Sequence, residues 1–220
     1  MTVTLINAFS VPPEQDEVFV KSWKRVAGVL SAKPGYVDAR LHRAIDAQVR
    51  FRFVNVAHWE SQEAYAAAME AFPSAIAEVE GVEPNPALYV PVAGDPQVPT
   101  ITEADIFTQI VEFEVAPERQ HDLIAALAAE VERWVRHRPG FLSASFHASH
   151  DGKRVFNYAQ WRTEADFRAF VADPNGEHIA SAVRGIGGVT GPRATHCRVV
   201  RVVSPPRNET ASNKEEKNNG

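Results

Sequence analysis

An asparagine and a tryptophan four residues apart are the first side chains in this sequence whose types and spacing could do chemistry. The segment 49–59 alternates strictly, so a period of two places Phe51, Phe53, Asn55, Ala57 and Trp59 on one strand face. An amide and an indole donor then stand among aromatic and aliphatic neighbours, about 13 Å apart along the strand at ~3.3 Å per residue. Asn7 has the same character, sharing a face with Leu5 and Phe9 in the alternating segment 3–11. A buried asparagine left without a hydrogen bond costs about 1–3 kcal/mol, so each amide must find a partner. In one reading the partners are backbone groups and Trp59 is core. In the other the residues form a mostly apolar pocket with a few convergent donors, which suits a flat aromatic ligand.

The elements that must position these residues occur twice. Pro34-Gly35 and Pro139-Gly140 are 105 residues apart, His42 and His147 keep that offset, and Trp59 and Trp161 are 102 apart. The three-residue slip falls where a hairpin turn can absorb it. A solenoid would repeat every ~20–50 residues; this is a duplicated domain of about 100 residues, and such a pair usually replaces a homodimer. In the first copy a strand over 3–11 ends at Val11-Pro12-Pro13-Glu14, where proline is tolerated in the first turn of a helix. The apolar spacing predicts that helix over 14–32, broken by Lys33-Pro34-Gly35. Strands follow over 36–42 and 49–59, with the turn 43–48 between them. Ser61 is the N-cap candidate for a helix over 64–79, interrupted near Pro73, and a strand over 88–92 closes the unit. The order is βαββαβ, the ferredoxin-like unit. The second copy repeats it, with strands near 106–115, 141–149, 154–161 and 195–203 and helices near 117–137 and 163–182.

The fold class expected is α+β: two tandem ferredoxin-like domains forming an intramolecular dimeric α+β barrel. The domains are read as 1–92 and 105–203, with a linker over 93–104 and a polar, disordered tail over 204–220. Both helices of a unit cover one sheet face. The other face is expected to be apolar and covered by the second unit, with a pocket between sheet and helices in each.

Composition narrows the function. Hydrophobic content of 45% and charged content of 23% are those of a globular protein. A net charge of −5 without a Lys/Arg run argues against nucleic-acid binding. Cys197 is the only cysteine, so no disulfide framework or thiolate cluster is expected. No apolar run approaches the ~20 residues of a membrane span, and the first residues lack the basic flank of a signal peptide. A cytoplasmic enzyme or binding protein is expected. Gly185-Ile186-Gly187-Gly188-Val189 follows a helix rather than a strand, so it is a loop and not a dinucleotide fingerprint. His147 and His150 have no third ligand partner in sequence, and no nucleophile elbow is present.

The run RFRFVNVAHWESQEAY over 50–65, with LINAFSVPP and PGYVDARLH, resembles the antibiotic biosynthesis monooxygenase family. The resemblance covers both copies. It implies a small cofactor-independent oxygenase of the kind that oxidises anthrone-type polyketides to quinones, with no metal and no cofactor. The family pattern is an Asn on strand one, then Asn-x3-Trp-x5-Tyr, which Asn7, Asn55, Trp59 and Tyr65 match. These are the expected catalytic residues. The resemblance also implies a mechanism: the substrate's own anion reduces O2, Trp59, Asn7 and Asn55 serve as neutral donors to the oxyanion, and Tyr65 orients the substrate or relays a proton. Phe9, Phe51, Phe53, Asn157, Trp161 and His178 are expected to contact substrate. An arginine found late in the second helix of some members has no counterpart, since that stretch reads Ala77-Glu78-Val79-Glu80. The second copy is degenerate. It keeps Asn157 and Trp161, but Glu112 is taken to stand for Asn7 and Phe167 for Tyr65.

Two other functions compete: a non-catalytic small-molecule-binding protein of the same family, and a haem-binding or haem-degrading relative. His178 lies where haem-degrading relatives carry an axial histidine. His42 and His147 are read as exposed or strand-edge. The partners expected are a small aromatic substrate and O2, with no nucleic acid and no membrane; self-association is left open.

Overall fold

Alternating apolar residues make the strands, and proline-ended turns launch the helices. A computed structural model describes residues 1–46, 49–70, 79–94 and 106–206. The first half contains β1 (Val3–Ser10), α1 (Asp16–Leu30), β2 (Tyr36–Ala44), β3 (Phe53–Trp59), α2 (Gln62–Glu70) and β4 (Glu83–Gly94). The second contains β5 (Phe107–Val115), α3 (Gln120–Arg133), β6 (Phe141–Ser149), β7 (Arg154–Trp161), α4 (Glu164–Val171), α5 (Glu177–Arg184) and β8 (Val189–Val203). Short 3-10 turns beginning at Pro13 and Pro117 lead into α1 and α3.

Each half is a four-stranded antiparallel sheet, ordered β4-β1-β3-β2 and β8-β5-β7-β6. The expected architecture is present: the two sheets join edge to edge, β2 to β8 and β4 to β6, and close one eight-stranded barrel. Two core clusters lie between barrel and helices, one per half, centred on Phe19, Phe53 and Trp59 and on Leu123, Phe146 and Trp161. A third, with Ile6, Val56, Tyr89, Ile110 and Phe156, fills the barrel interior.

Several expectations are corrected. β3 starts at Phe53, not at residue 49, because Arg52 turns away to bond Asp16 (2.8 Å) and its N–H donates to the Phe9 carbonyl (2.9 Å). The helix expected over 163–182 divides into α4 and α5 at the 3-10 turn Pro174–Gly176, where proline lacks an N–H. β4 and β8 are longer than expected because residues 83–87 continue the pairing with β1 and 189–194 the pairing with β5, while Ala93 and Gly94 pair with β6 of the other half. The interruption at Pro73, most of the linker (Ala93 and Gly94 belong to β4) and the tail beyond residue 206 lie outside the described residues.

The inner face of the sheets is also more polar than expected, and His42 and His147 are on it, fully buried. The His42 ring donates from Nδ1 to the Val54 carbonyl (3.1 Å), which leaves Nε2 to accept from the Tyr158 hydroxyl of the other half (2.8 Å). Gln160 continues the network to Tyr158 (3.3 Å) and Ser143 (3.1 Å). Barrel closure brings His42 and Tyr158 together, whereas the buried His147 Nδ1 and Thr4 hydroxyl have no hydrogen-bond partner among the described residues.

Burial pushes the His42 pKa down to about 4, helped by the Arg40 guanidinium. Burial pushes His147 down to about 3, helped by His58. Both lie below the ~6.5 of a free imidazole, so the unfolded chain takes up protons first as pH falls. The stabilisation is complete above about pH 6.5. It is lost as pH falls through about 4 for His42 and about 3 for His147. Thermal unfolding followed by circular dichroism should therefore show a falling midpoint between pH 7 and pH 4, with a shallower fall in His42→Gln.

Candidate functional site

The site is built on the helix-facing side of the first sheet. β1 and β3 pair with Asn7 opposite Asn55 and Val3 opposite Trp59. Leu5, Asn7, Phe9, Asn55, Ala57 and Trp59 therefore face one way, toward α1 and α2. Between them lies a cavity of about 380 Å³, lined also by Trp23, Tyr36, Tyr65 and Met69. No charged side chain lines it among the described residues.

Each polar group in the cavity has a defined state. The Asn7 carboxamide oxygen accepts from the Asn85 N–H (3.0 Å), and that of Asn55 accepts from the Trp23 indole (3.1 Å). With both oxygens engaged, the two amides have their NH₂ donors left to offer. The Trp59 indole N–H is buried without a hydrogen-bond partner among the described residues. Its ring is held edge-on between Tyr36 (5.3 Å) and Tyr65 (5.8 Å). Tyr36 is tied to the Val203 carbonyl (2.9 Å), whereas burial raises the pKa of Tyr65 and keeps its proton in place near neutrality. The result is an apolar box whose free nitrogens are hydrogen-bond donors, with the Tyr65 hydroxyl able to donate or accept.

A tight turn brings Tyr65 there. Ser61 caps α2, its hydroxyl accepting from the Ala64 N–H (3.1 Å), and the Glu60 N–H bonds the Gly35 carbonyl (2.8 Å). Gly35 has φ +76°, and a Cβ there would meet the Ala64 Cβ at 2.5 Å. The glycine thus lets the β3–α2 corner close over Trp59.

Asn7, Phe9, Asn55, Trp59 and Tyr65 are brought together as the sequence suggests. Phe51 and Phe53 are not in the cavity. Phe51 precedes β3 with the Arg50 guanidinium over its ring (4.9 Å), and Phe53 is core, packed on Phe19 (4.8 Å). His178 is exposed, because α5 turns Ile179, Ala180 and Val183 inward instead. Asn157 and Trp161 line the corresponding cavity of the second half.

The strand register also corrects one equivalence between the copies. Val111, not Glu112, stands opposite Asn157 as Asn7 stands opposite Asn55. Glu112 faces away from the cavity and pairs with Arg154 (3.7 Å). The signal was readable: Phe9, Val11 and Pro13 recur as Phe113, Val115 and Pro117, an offset of 104 and not 105. Trp23 was missed because an apolar helix face looks the same whether it packs core or lines a pocket. At the same offset the second copy has Leu127.

Two four-stranded sheets closed into one barrel, each covered by helices with a cavity beneath, define an intramolecular dimeric α+β barrel. The chain belongs to the antibiotic biosynthesis monooxygenase family, whose model matches residues 2–71 and 106–181. Tetracenomycin-F1 monooxygenase of Streptomyces glaucescens is 57% identical over 70 residues, which are 32% of this chain and 62% of that protein. The match thus spans less than two thirds of that relative's length. Among solved structures, an anthrone oxidase-like protein superposes with a TM-score of 0.75 at 18% identity, over 96% of both chains. A variant chlorite dismutase from Candidatus Nitrospira defluvii does so with a TM-score of 0.60 at 11% identity, over 91% of both. These two likenesses are of fold.

Gly35→Ala should destabilise the protein by about 1–2 kcal/mol, the cost of forcing a Cβ into the left-handed region. A chemical denaturation midpoint equal to wild type would show that the corner does not need the glycine.

Proposed function

We propose that the protein is a monooxygenase that oxidises a polycyclic anthrone- or quinol-type molecule with O2, the substrate supplying the electrons. One observation carries this reading: among the described residues the first cavity offers the Trp59 indole and the Asn7 and Asn55 amides as free donors, in an apolar setting with no cation. Such a site favours a neutral acid that becomes a delocalised anion, because fixed dipoles stabilise the developing oxygen charge in a low dielectric. The named activity of the Streptomyces glaucescens relative supports the reading.

The chemistry balances without a further redox partner. The anthrone enol loses its proton, and its anion passes one electron to O2. The radical and superoxide combine at the ring carbon, forming a C–O bond. Protonation and loss of water from the hydroperoxide then leave the quinone carbonyl. One oxygen atom of O2 enters the product and the other leaves as water. The chain binds the flat ring between Trp59 and the apolar wall, holds the enolate oxygen, and excludes solvent. Tyr65, protonated near neutrality, supplies the proton. The haem alternative rested on His178, which projects away from both cavities.

Oxygen-electrode measurements with an anthrone should show one O2 consumed per quinone formed, without hydrogen peroxide. Trp59→Phe and Asn55→Ala should each lower turnover about 10–1000-fold, as loss of one oxyanion donor does. Trp23→Leu, which frees the Asn55 oxygen to face the anion, should lower it about tenfold or more. Glu112→Gln should leave it unchanged. No oxygen uptake, or full activity in Trp59→Phe and Asn55→Ala, would defeat the proposal.

A further inference from the structure

The first cavity adjoins a recess that both halves build. The recess, of about 420 Å³, shares Leu5, Tyr65 and Pro86 with the cavity and is completed by Ser149, His150, Asp151 and Arg154 of the second half. The turn between β6 and β7 is fixed from two sides. The His150 N–H donates to the Leu88 carbonyl (3.3 Å), and Gln120 Nε2 donates to the Ser149 and Arg154 carbonyls (3.1 and 2.9 Å). Duplication explains why an arginine side chain is available there. Arg52 and Arg154 are counterparts, each three residues before the asparagine of its strand, and Asp16 and Gln120 are counterparts at the offset of 104. In the first half Asp16 grips Arg52 through two bonds (2.5 and 2.8 Å). In the second, Gln120 serves backbone carbonyls and offers the guanidinium no carboxylate. The Arg154 side chain, 25% exposed, therefore lines the recess, over the Tyr89 ring (5.8 Å) and 3.7 Å from Glu112, beyond hydrogen-bond reach. Asp151 is engaged by its own turn, its Oδ1 accepting from the Ser149 hydroxyl (2.6 Å) and the Lys153 N–H (3.1 Å).

We propose that the recess takes an ionised carboxyl substituent of a ring molecule seated in the first cavity, with the Arg154 guanidinium donating to it. No charged side chain lines that cavity among the described residues, so an ionised substituent finds no partner inside it. The second half then recognises the acid for which the first half has no cation. This inference rests on the first-cavity reading and adds an acidic substrate class to it. Arg154 binds the substituent, while the oxyanion donors remain Trp59, Asn7 and Asn55.

An anthraquinone carboxylate and the matching carboxamide, each titrated into the full chain at neutral pH and followed by tryptophan fluorescence, test it. The carboxylate should bind about tenfold more tightly than the amide, as a hydrogen bond to a charged group warrants. Arg154→Gln should make the two affinities equal. Gln120→Asp should do the same by giving Arg154 the carboxylate that holds Arg52 in the first half; it keeps the arginine and guards against misfolding of the first variant. Equal affinities in the wild type, or a preference unchanged in both variants, would overturn the proposal and leave the first-cavity reading standing. Binding of neither molecule would overturn the first-cavity reading and this inference with it.

Discussion

Everything in this molecule depends on the two strand pairs that cross between its halves. A ferredoxin-like sheet ends in two edges, and each edge presents unpaired backbone N–H and C=O groups. Here β2 is answered by β8 and β4 by β6, so the barrel closes and no edge remains. Closure creates the inner chamber in which His42 meets Tyr158. It also frees the outer faces to be covered by helices, and the cavities lie there. Val203 belongs to β8, yet its carbonyl fixes the Tyr36 hydroxyl beside Trp59. The first site thus borrows part of its rigidity from the second half.

Duplication has kept the frame and changed the polar atoms. Asn55 and Asn157, and Trp59 and Trp161, hold matching places on β3 and β7. The residues around them differ: Trp23 against Leu127, Asn7 against Val111, Tyr65 against Phe167. Each exchange alters which hydrogen-bonding atoms point into the cavity, with little effect on its size, about 380 Å³ against 440 Å³.

Much of the fold was legible because the duplication repeats every punctuation mark, from the Pro-Gly pairs to the strand-ending prolines. Alternation in β1 and β3 told which residues share a face, so Asn7, Asn55 and Trp59 fell together. Three features were hidden for physical reasons. Trp23 sits on a helix stripe that periodicity assigns to core. His42 and His147 alternate as inner-face residues, but a polar residue on an inner face makes sense only when the opposing wall is known. The place of Glu112 depended on a single-residue register, and one residue in a strand exchanges the two faces entirely. Val11 and Pro13, matched to Val115 and Pro117, would have fixed it.

The His42–Tyr158 contact has a further meaning. His147 holds the place of His42 in the second copy, and the place corresponding to Tyr158 in the first copy is Val56. A barrel assembled from two first halves would set His42 against Val56, burying an imidazole nitrogen with no hydrogen-bond donor opposite. The interior thus discriminates between like and unlike partners. During synthesis, when first halves of neighbouring chains meet before their own second halves emerge, that mismatch opposes the pairing of first half with first half and keeps each one open for a second half.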